Sequence, residues 1–169
     1  YGDLNSEQPI KVEHDPRIDF NLDDKKEIYS AAKTLETYLE AAAKASLQLA
    51  QSKQIANEFL ESLKNKDEEE LKQEIEHTEE VSDKIDKLFE LFFGKEDERQ
   101  GITSDPVVSV LERLGTASYY VVTRQNGLTN TEHTLIKNTK SALQNALQKV
   151  NVFAPLSIVL AVLYSNFHL

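Results

Sequence analysis

The fold is decided by residues 22–65, which read LDDKKEIYSAAKTLETYLEAAAKASLQLAQSKQIANEFLESLKN. Apolar residues recur in this stretch at alternating steps of three and four, the heptad pattern of a helix packed lengthwise against other helices. The predicted seam consists of Ile28, Ala32, Leu35, Leu39, Ala42, Leu49, Ala56, Leu60 and Leu63, with Ser46 and Lys53 in the two slots without an apolar residue. An unbroken helix over this stretch would be about 65 Å long.

A second amphipathic segment follows at once. Asp67 and Glu70 have the spacing of a capping box, which predicts that the second helix starts there. Its inner face is predicted to contain Leu71, Ile75, Val81, Ile85, Leu88, Phe89 and Phe92. Gly94 is a favourable residue just beyond a helix end, so the helix should stop near it.

Two further helices complete the pattern. Asp105 as N-cap and Pro106 as the first helical residue predict the start of the third helix, which should end at residues 125–127. Its predicted buried stripe is Val107, Val110, Leu111, Leu114, Ala117 and Val121. Thr129 and Glu132 form a second capping box at the start of the fourth helix. The fourth seam is predicted to be Leu135, Thr139, Leu143, Ala146, Val150 and Phe153.

Both flanks differ from this helical body. Residues 9–13 alternate apolar and polar side chains, which predicts a short strand, and Asp15-Pro16 ends it. Residues 154–169 read APLSIVLAVLYSNFHL and are too short an apolar run to span a bilayer. This tail fits a strand, a buried terminal helix or a partner-binding patch equally well. The absence of an initiator or signal peptide at Tyr1 suggests a fragment or a processed product.

The composition excludes several kinds of chemistry. A formal net charge of −10 disfavours nucleic acid and anionic membrane surfaces as partners. The absence of cysteine rules out disulfides, thiolate metal sites and a cysteine nucleophile. The sequence shows no phosphate-binding glycine loop and no GxSxG nucleophile elbow.

Two local patterns are candidate sites. Glu74 and His77 have the ExxH spacing of di-metal bundles. Such sites need a second ExxH pair and two further inward-facing glutamates. The acidic residues beside His77 indicate a solvated face instead. Tyr119-Tyr120 could mark a contact surface, although half-buried core tyrosines are commoner. The sequence therefore predicts no catalytic, cofactor-binding or metal-binding residue.

Several short motifs carry a family resemblance when taken in order. They are Val12-Glu13-His14-Asp15-Pro16-Arg17-Ile18, Gln100-Gly101-Ile102 with Asp105-Pro106, Leu114-Gly115-Thr116-Ala117-Ser118-Tyr119, Gly127-Leu128-Thr129 with Glu132, and Val150-Asn151-Val152-Phe153. Over residues 8–153 this order resembles the C-terminal helical region of sortilin-like (VPS10-like) proteins of Bacteroidetes. That family usually ends in a tryptophan-containing stretch, whereas this chain has no tryptophan.

The resemblance implies an exported protein built on a BNR (Asp-box) β-propeller, of the kind often labelled a glycosyl hydrolase. Any binding or hydrolytic site would lie in that propeller, since no active-site residue of the family corresponds to a position in this chain.

Together these observations predict an all-α fold, an antiparallel up-down bundle of about four helices preceded by a short strand left from an upstream β-domain. The expected divisions are residues 1–20 as the end of that β-domain or a linker, 21–153 as the bundle, and 154–169 as an apolar tail. The predicted function is a non-catalytic spacer or docking domain without a cofactor, whose partners are proteins or upstream domains of the same chain. The alternatives are an independent adaptor that binds proteins through its helical face or tail, and a metal-dependent bundle enzyme that uses Glu74 and His77.

Overall fold

The computed structural model describes residues 7–13, 15–17, 21–63, 71–95 and 108–167, with the side chains of the last helix described up to Phe153. These residues form four helices: α1 (Leu22–Leu63), α2 (Lys72–Phe93), α3 (Val110–Val122) and α4 (Asn130–Phe167). The described part of the chain contains no strand, so the predicted all-α fold with four helices is confirmed. Residues 154–167 continue α4 as a helix.

Side-chain contacts define the directions of the helices. Lys53 lies ten residues before the end of α1 and donates to Ser82, which lies ten residues after the start of α2, so the two helices form an antiparallel hairpin. At the other end of α1, Lys25 donates to the carbonyl oxygen of Gln125, just beyond α3. Thr139 of α4 donates to the carbonyl oxygen of Arg113 in α3. α1 packs against each of the other three helices.

α2 and α3 therefore follow one another along α1, like a single helix interrupted in the middle. A Cβ atom built on Gly94, just after α2, would lie 3.7 Å from the Cβ of Ser109, just before α3. The two helices have 22 and 13 residues, which together approach the 38 residues of α4. Since both run opposite to α1, the predicted up-down alternation is not confirmed.

Five of the seven buried residues of α1 belong to the predicted seam. Leu35, Ala42, Leu49, Ala56 and Leu63 are buried as predicted. At the alternate positions the structure buries Ala45 and Phe59 rather than Ser46 and Leu60, and Leu39 is 50% exposed. After a buried residue, either the residue three positions later or the one four positions later can continue the buried stripe. Burying Phe59 removes more apolar area from water than burying Leu60 would.

The other seams agree closely with the prediction. The core contains Val81, Ile85, Leu88 and Phe92 of α2, Val110, Leu114, Ala117 and Val121 of α3, and Leu143, Ala146, Val150 and Phe153 of α4. Phe89, Leu111 and Leu135 are partly buried and pack against it. Thr139 is buried as predicted, and Thr78, which was not in the predicted inner face of α2, is also buried. Its hydroxyl donates to the carbonyl oxygen of Glu74, which satisfies it inside the core. Val107 lies outside the described residues.

The helix caps were predicted with mixed success. Gly94 has a φ of 85° and donates its N–H to the carbonyl oxygen of Glu90 at 2.9 Å, so the predicted end of α2 is confirmed. Asp105 and Pro106, the predicted start of α3, lie outside the described residues, and in the described chain α3 begins at Val110 with Ser109 as N-cap. Asp67 and Glu70 lie outside the described residues, and α2 begins beyond them, at Lys72.

Residues 7–13, which include the predicted strand, have no regular secondary structure. Ile10 and Val12 are 88% and 90% exposed. A single strand cannot satisfy its backbone groups without a neighbour, so the strand prediction is not confirmed for the described chain.

Candidate functional site

The bundle has a polar junction where α1 begins. The α3–α4 corner, defined here as residues 123–129, rests against the first two turns of α1. Lys25 donates to the carbonyl oxygen of Gln125 at 2.6 Å, and the N–H of Leu128 donates to the Glu27 carboxylate at 3.1 Å. Nε2 of His133 lies 3.4 Å from the other oxygen of Glu27. These contacts fix the position of the corner on α1.

One carboxylate organises the interior of the corner. Oε2 of Glu132 accepts hydrogen bonds from the Thr129 hydroxyl at 2.6 Å, the Thr129 N–H at 2.8 Å and the Arg124 guanidinium at 3.0 Å. The Thr129 hydroxyl in turn accepts from the N–H of Thr131, so the predicted capping box is confirmed. Donation from the Thr129 hydroxyl, helped by its N–H and by Arg124 and opposed by burial, lowers the pKa of Glu132 to about 2. The corner is a structural element, because Thr129 and Arg124 direct their donors to Glu132, although Nε of Arg124 is buried without a hydrogen-bond partner in the described chain.

The Asp-Pro-Arg sequence forms a turn of its own. The Asp15 carboxylate accepts from the N–H of Arg17 at 3.0 Å and from its guanidinium at 2.6 Å. The guanidinium of Arg17, followed by the Arg17 backbone N–H, lowers the pKa of Asp15. A side chain that bonds to the backbone two residues later defines an Asx-type turn. In the sequence, this hydrogen-bonded turn lies between residues 7–13 and α1.

Residues 7–13 expose their apolar side chains to solvent. Ile10 and Val12 are two residues apart, and Lys11 between them pairs with Glu13. In an extended backbone, side chains at this spacing point to the same face. An apolar pair on one face is what an edge strand presents to the core of a sheet.

A second exposed apolar surface lies on α3. The α3 outer face, defined as Gly115, Tyr119 and Val122, follows the spacing i, i+4, i+7 and is exposed throughout. Tyr119 is 66% and Val122 62% exposed. The ring of Tyr119 meets that of Tyr120 edge-on, with centroids 5.9 Å apart. The half-buried core role considered for these tyrosines is therefore wrong for Tyr119, and the pair faces solvent.

The outer side of α1 and α2 has further exposed apolar residues. Leu39, Leu47 and Phe93 are 50%, 60% and 58% exposed. An open groove of about 790 Å³ runs along the second half of α1, lined by Lys53, Asn57 and Glu58 and bounded by Phe89. Most of the lining residues are polar or charged types, but the surface that they turn toward the groove is largely apolar. The groove is therefore a further exposed surface of apolar character.

The residues considered for metal binding do not converge. Glu74 is partly buried on α2, whereas His77 is exposed, and His133 lies on α4 beside Glu27. His14 and His168 lie outside the described residues. Within residues 7–153 that the structure describes, no group of three or more His, Cys, Asp or Glu is placed to hold a metal ion.

The α3 outer face had only weak signals in the sequence. Gly115 in the middle of a helix and Val122 off the buried stripe are visible in the sequence. Neither is unusual alone, and their exposure follows only from the packing of α3 on its neighbours.

In the described part of the chain, no helix has the length and apolar character needed to cross a membrane.

Comparisons with known proteins gave no identification. No protein-family model matches the chain, and no match was found among curated proteins or solved structures. The resemblance to sortilin-like proteins therefore rests on the short motifs alone, and the function must be argued from the geometry.

Proposed function

We propose that this chain is a non-catalytic helical accessory domain of an exported multidomain protein of the sortilin-like β-propeller kind, where it serves as a spacer or docking element. The carrying observation is the exposed apolar pair Ile10 and Val12 in residues 7–13. About 90% exposure of two β-branched residues is costly in water and is relieved when a sheet from a preceding domain pairs with this segment.

The Asp15–Arg17 turn supports this proposal. A linker between independent domains is usually rich in flexible residues, whereas this turn holds itself by side-chain hydrogen bonds. Such a hydrogen-bonded turn would limit the directions that the chain takes after the proposed strand. The motif Val12-Glu13-His14-Asp15-Pro16-Arg17-Ile18 is also the first of the short motifs whose order and spacing carry the family resemblance.

The first test is the intact mass and N-terminal sequence of the native protein. The proposal expects a chain much larger than 19.2 kDa that continues upstream into β-rich sequence and carries an export signal. A native chain of 19.2 kDa would overturn it.

Substitutions in the native chain test the strand itself. Ile10→Asp and Val12→Asp should lower the Tm of the upstream domain, because both side chains would face its core. Lys11→Asp is the matched control, since its side chain would lie on the opposite face of the strand. Equal effects of the three substitutions would contradict strand pairing.

The second candidate function is an independent adaptor that binds a protein through its helical face or apolar tail. The exposure of the large apolar side chains of Leu39, Leu47 and Phe93 favours it. Static light scattering on the native protein distinguishes the two: the adaptor forms an assembly of two or more chains, and a strict monomer without exposed apolar surface would exclude it.

A further inference from the structure

We propose that the α3 outer face, Gly115, Tyr119 and Val122, is the surface on which the preceding domain docks. This proposal rests on the accessory-domain function above and adds the location of the interdomain contact. The occupant is an apolar face of that β-domain, connected to the bundle through residues 7–21.

The first argument is the exposure of the side chains. Tyr119 and Val122 present large apolar area on a helix that buries Val110, Leu114, Ala117 and Val121 on its other side. The T-shaped contact with Tyr120 restrains the Tyr119 ring. A restrained, exposed tyrosine loses little entropy on binding, which is why tyrosine is frequent at the centre of interfaces.

The second argument is Gly115. Apart from proline, glycine is the least favourable residue in a helix interior. A Cβ atom at this position would meet nothing within 4 Å in the described chain, so internal packing does not require glycine. The absence of a side chain one turn before Tyr119 lets a partner approach the helix backbone closely. A docked partner would therefore account for both the glycine at position 115 and the exposed ring of Tyr119.

The third argument is reach. Residues 14–21 separate the proposed strand from α1, and eight residues extend at most about 29 Å. The bond from Lys25 to Gln125 places the end of α3 beside the start of α1. The α3 outer face therefore lies at the end of the bundle where the preceding domain is attached, whereas Leu39, Leu47 and Phe93 lie farther along it.

The test uses thiol labelling in the full-length native protein. The 169 residues contain no cysteine, so a single introduced thiol can be followed by peptide mass spectrometry. Val122→Cys probes the docking face. Val152→Cys on α4, 73% exposed, is the matched control, because the two valines have similar exposure in the helical segment.

Docking predicts that the Val122→Cys thiol reacts at least about tenfold more slowly than the Val152→Cys thiol, with equal rates after unfolding. Adding Gly115→Leu to the Val122→Cys variant should restore most of the reactivity, since a bulky side chain would hold the partner off the helix. Labelling of Val122→Cys that slows with rising protein concentration would indicate a second copy as the occupant and overturn the proposal.

The two proposals fail in different ways. Equal labelling rates in a native chain that contains an upstream β-domain would overturn the docking site and leave the accessory function intact. A native chain without an upstream domain would overturn both.

Discussion

The Arg124 guanidinium donates to the Glu132 carboxylate at 3.0 Å, which joins the residue two positions after α3 to the first turn of α4. Glu132 is only 2% exposed, and its oxygen also accepts from the N–H and hydroxyl of Thr129. The arrangement ties a helix cap to an ion pair, so the loss of this one carboxylate removes both the cap and the partner of a half-exposed arginine.

This carboxylate predicts an acid-dependent loss of stability. The pKa of Glu132 is about 2 in the folded chain against an ordinary value of 4.5. A depressed pKa contributes stability that is complete above pH 4.5 and is lost as the pH falls toward 2. Urea unfolding followed by circular dichroism at pH 7, 4 and 2.5 measures this decline. At pH 7 the Glu132→Gln variant should have a lower free energy of unfolding than the parent chain. Between pH 4.5 and 2.5 its free energy of unfolding should fall less than that of Glu112→Gln, an exposed control in the first turn of α3.

The register of α1 is testable with adjacent residues. Phe59 is 1% exposed, so Phe59→Ala should lower the free energy of unfolding by about 3–5 kcal/mol. Leu60 is only partly buried, and Leu60→Ala should cost clearly less. Chemical denaturation of both variants gives the comparison. A larger loss for Leu60→Ala would mean that the heptad predicted from sequence is the correct one.

The N-cap of α3 makes a second paired prediction. The Ser109 hydroxyl accepts from the N–H of Glu112, so Ser109→Ala should cost about 1 kcal/mol. Ser109→Asp keeps an acceptor and should retain most of the stability. Asp105→Ala should have little effect, because α3 begins at Val110. A cost for Asp105→Ala equal to that for Ser109→Ala would contradict this helix start.

The glycines give predictions of opposite sign. Gly115→Ala should stabilise the chain by about 0.5–1 kcal/mol, because the helix gains propensity and the new methyl group meets nothing. Gly127→Ala should destabilise it, because the Cβ would lie 2.9 Å from Oδ1 of Asp24 and 3.3 Å from Oε2 of Glu27. Thermal unfolding of the two variants, compared with the parent chain, measures both signs. A destabilising Gly115→Ala would show that the α3 outer face packs within the chain.

Sequence periodicity predicted the helices of this fold well and the register of its longest one poorly. In α4, Leu143 and Val150 have only small or polar neighbours, which made most of the seam predictable. The pair Ala146/Leu147 was ambiguous, and Ala146 is the one that is fully buried. In α1 the pairs Ala45/Ser46 and Phe59/Leu60 offer two nearly equal heptads. Which residue of each pair is buried depends on the neighbouring helices, and the periodicity of one helix carries no information about them.

The caps differed for a related reason. Thr129 and Glu132 satisfy each other within four residues, so their spacing alone predicts the motif. Ser109 was missed because Asp105-Pro106 offered a stronger local signal four residues earlier. The exposure of Tyr119 and Val122 was not predictable, since it depends on which side of α3 lacks a neighbour.

The interruption between α2 and α3 has a consequence for how the chain folds. It divides the bundle into two hairpins, α1–α2 and α3–α4, each closed by a connection that is short in sequence. Closing a short connection costs little chain entropy, and contacts between sequence neighbours form quickly. The α3–α4 hairpin, with its corner already stabilised by Arg124, Thr129 and Glu132, can form before α1 closes on it. Docking of α1, whose first turns contact the corner through Lys25 and Glu27, would then complete the bundle.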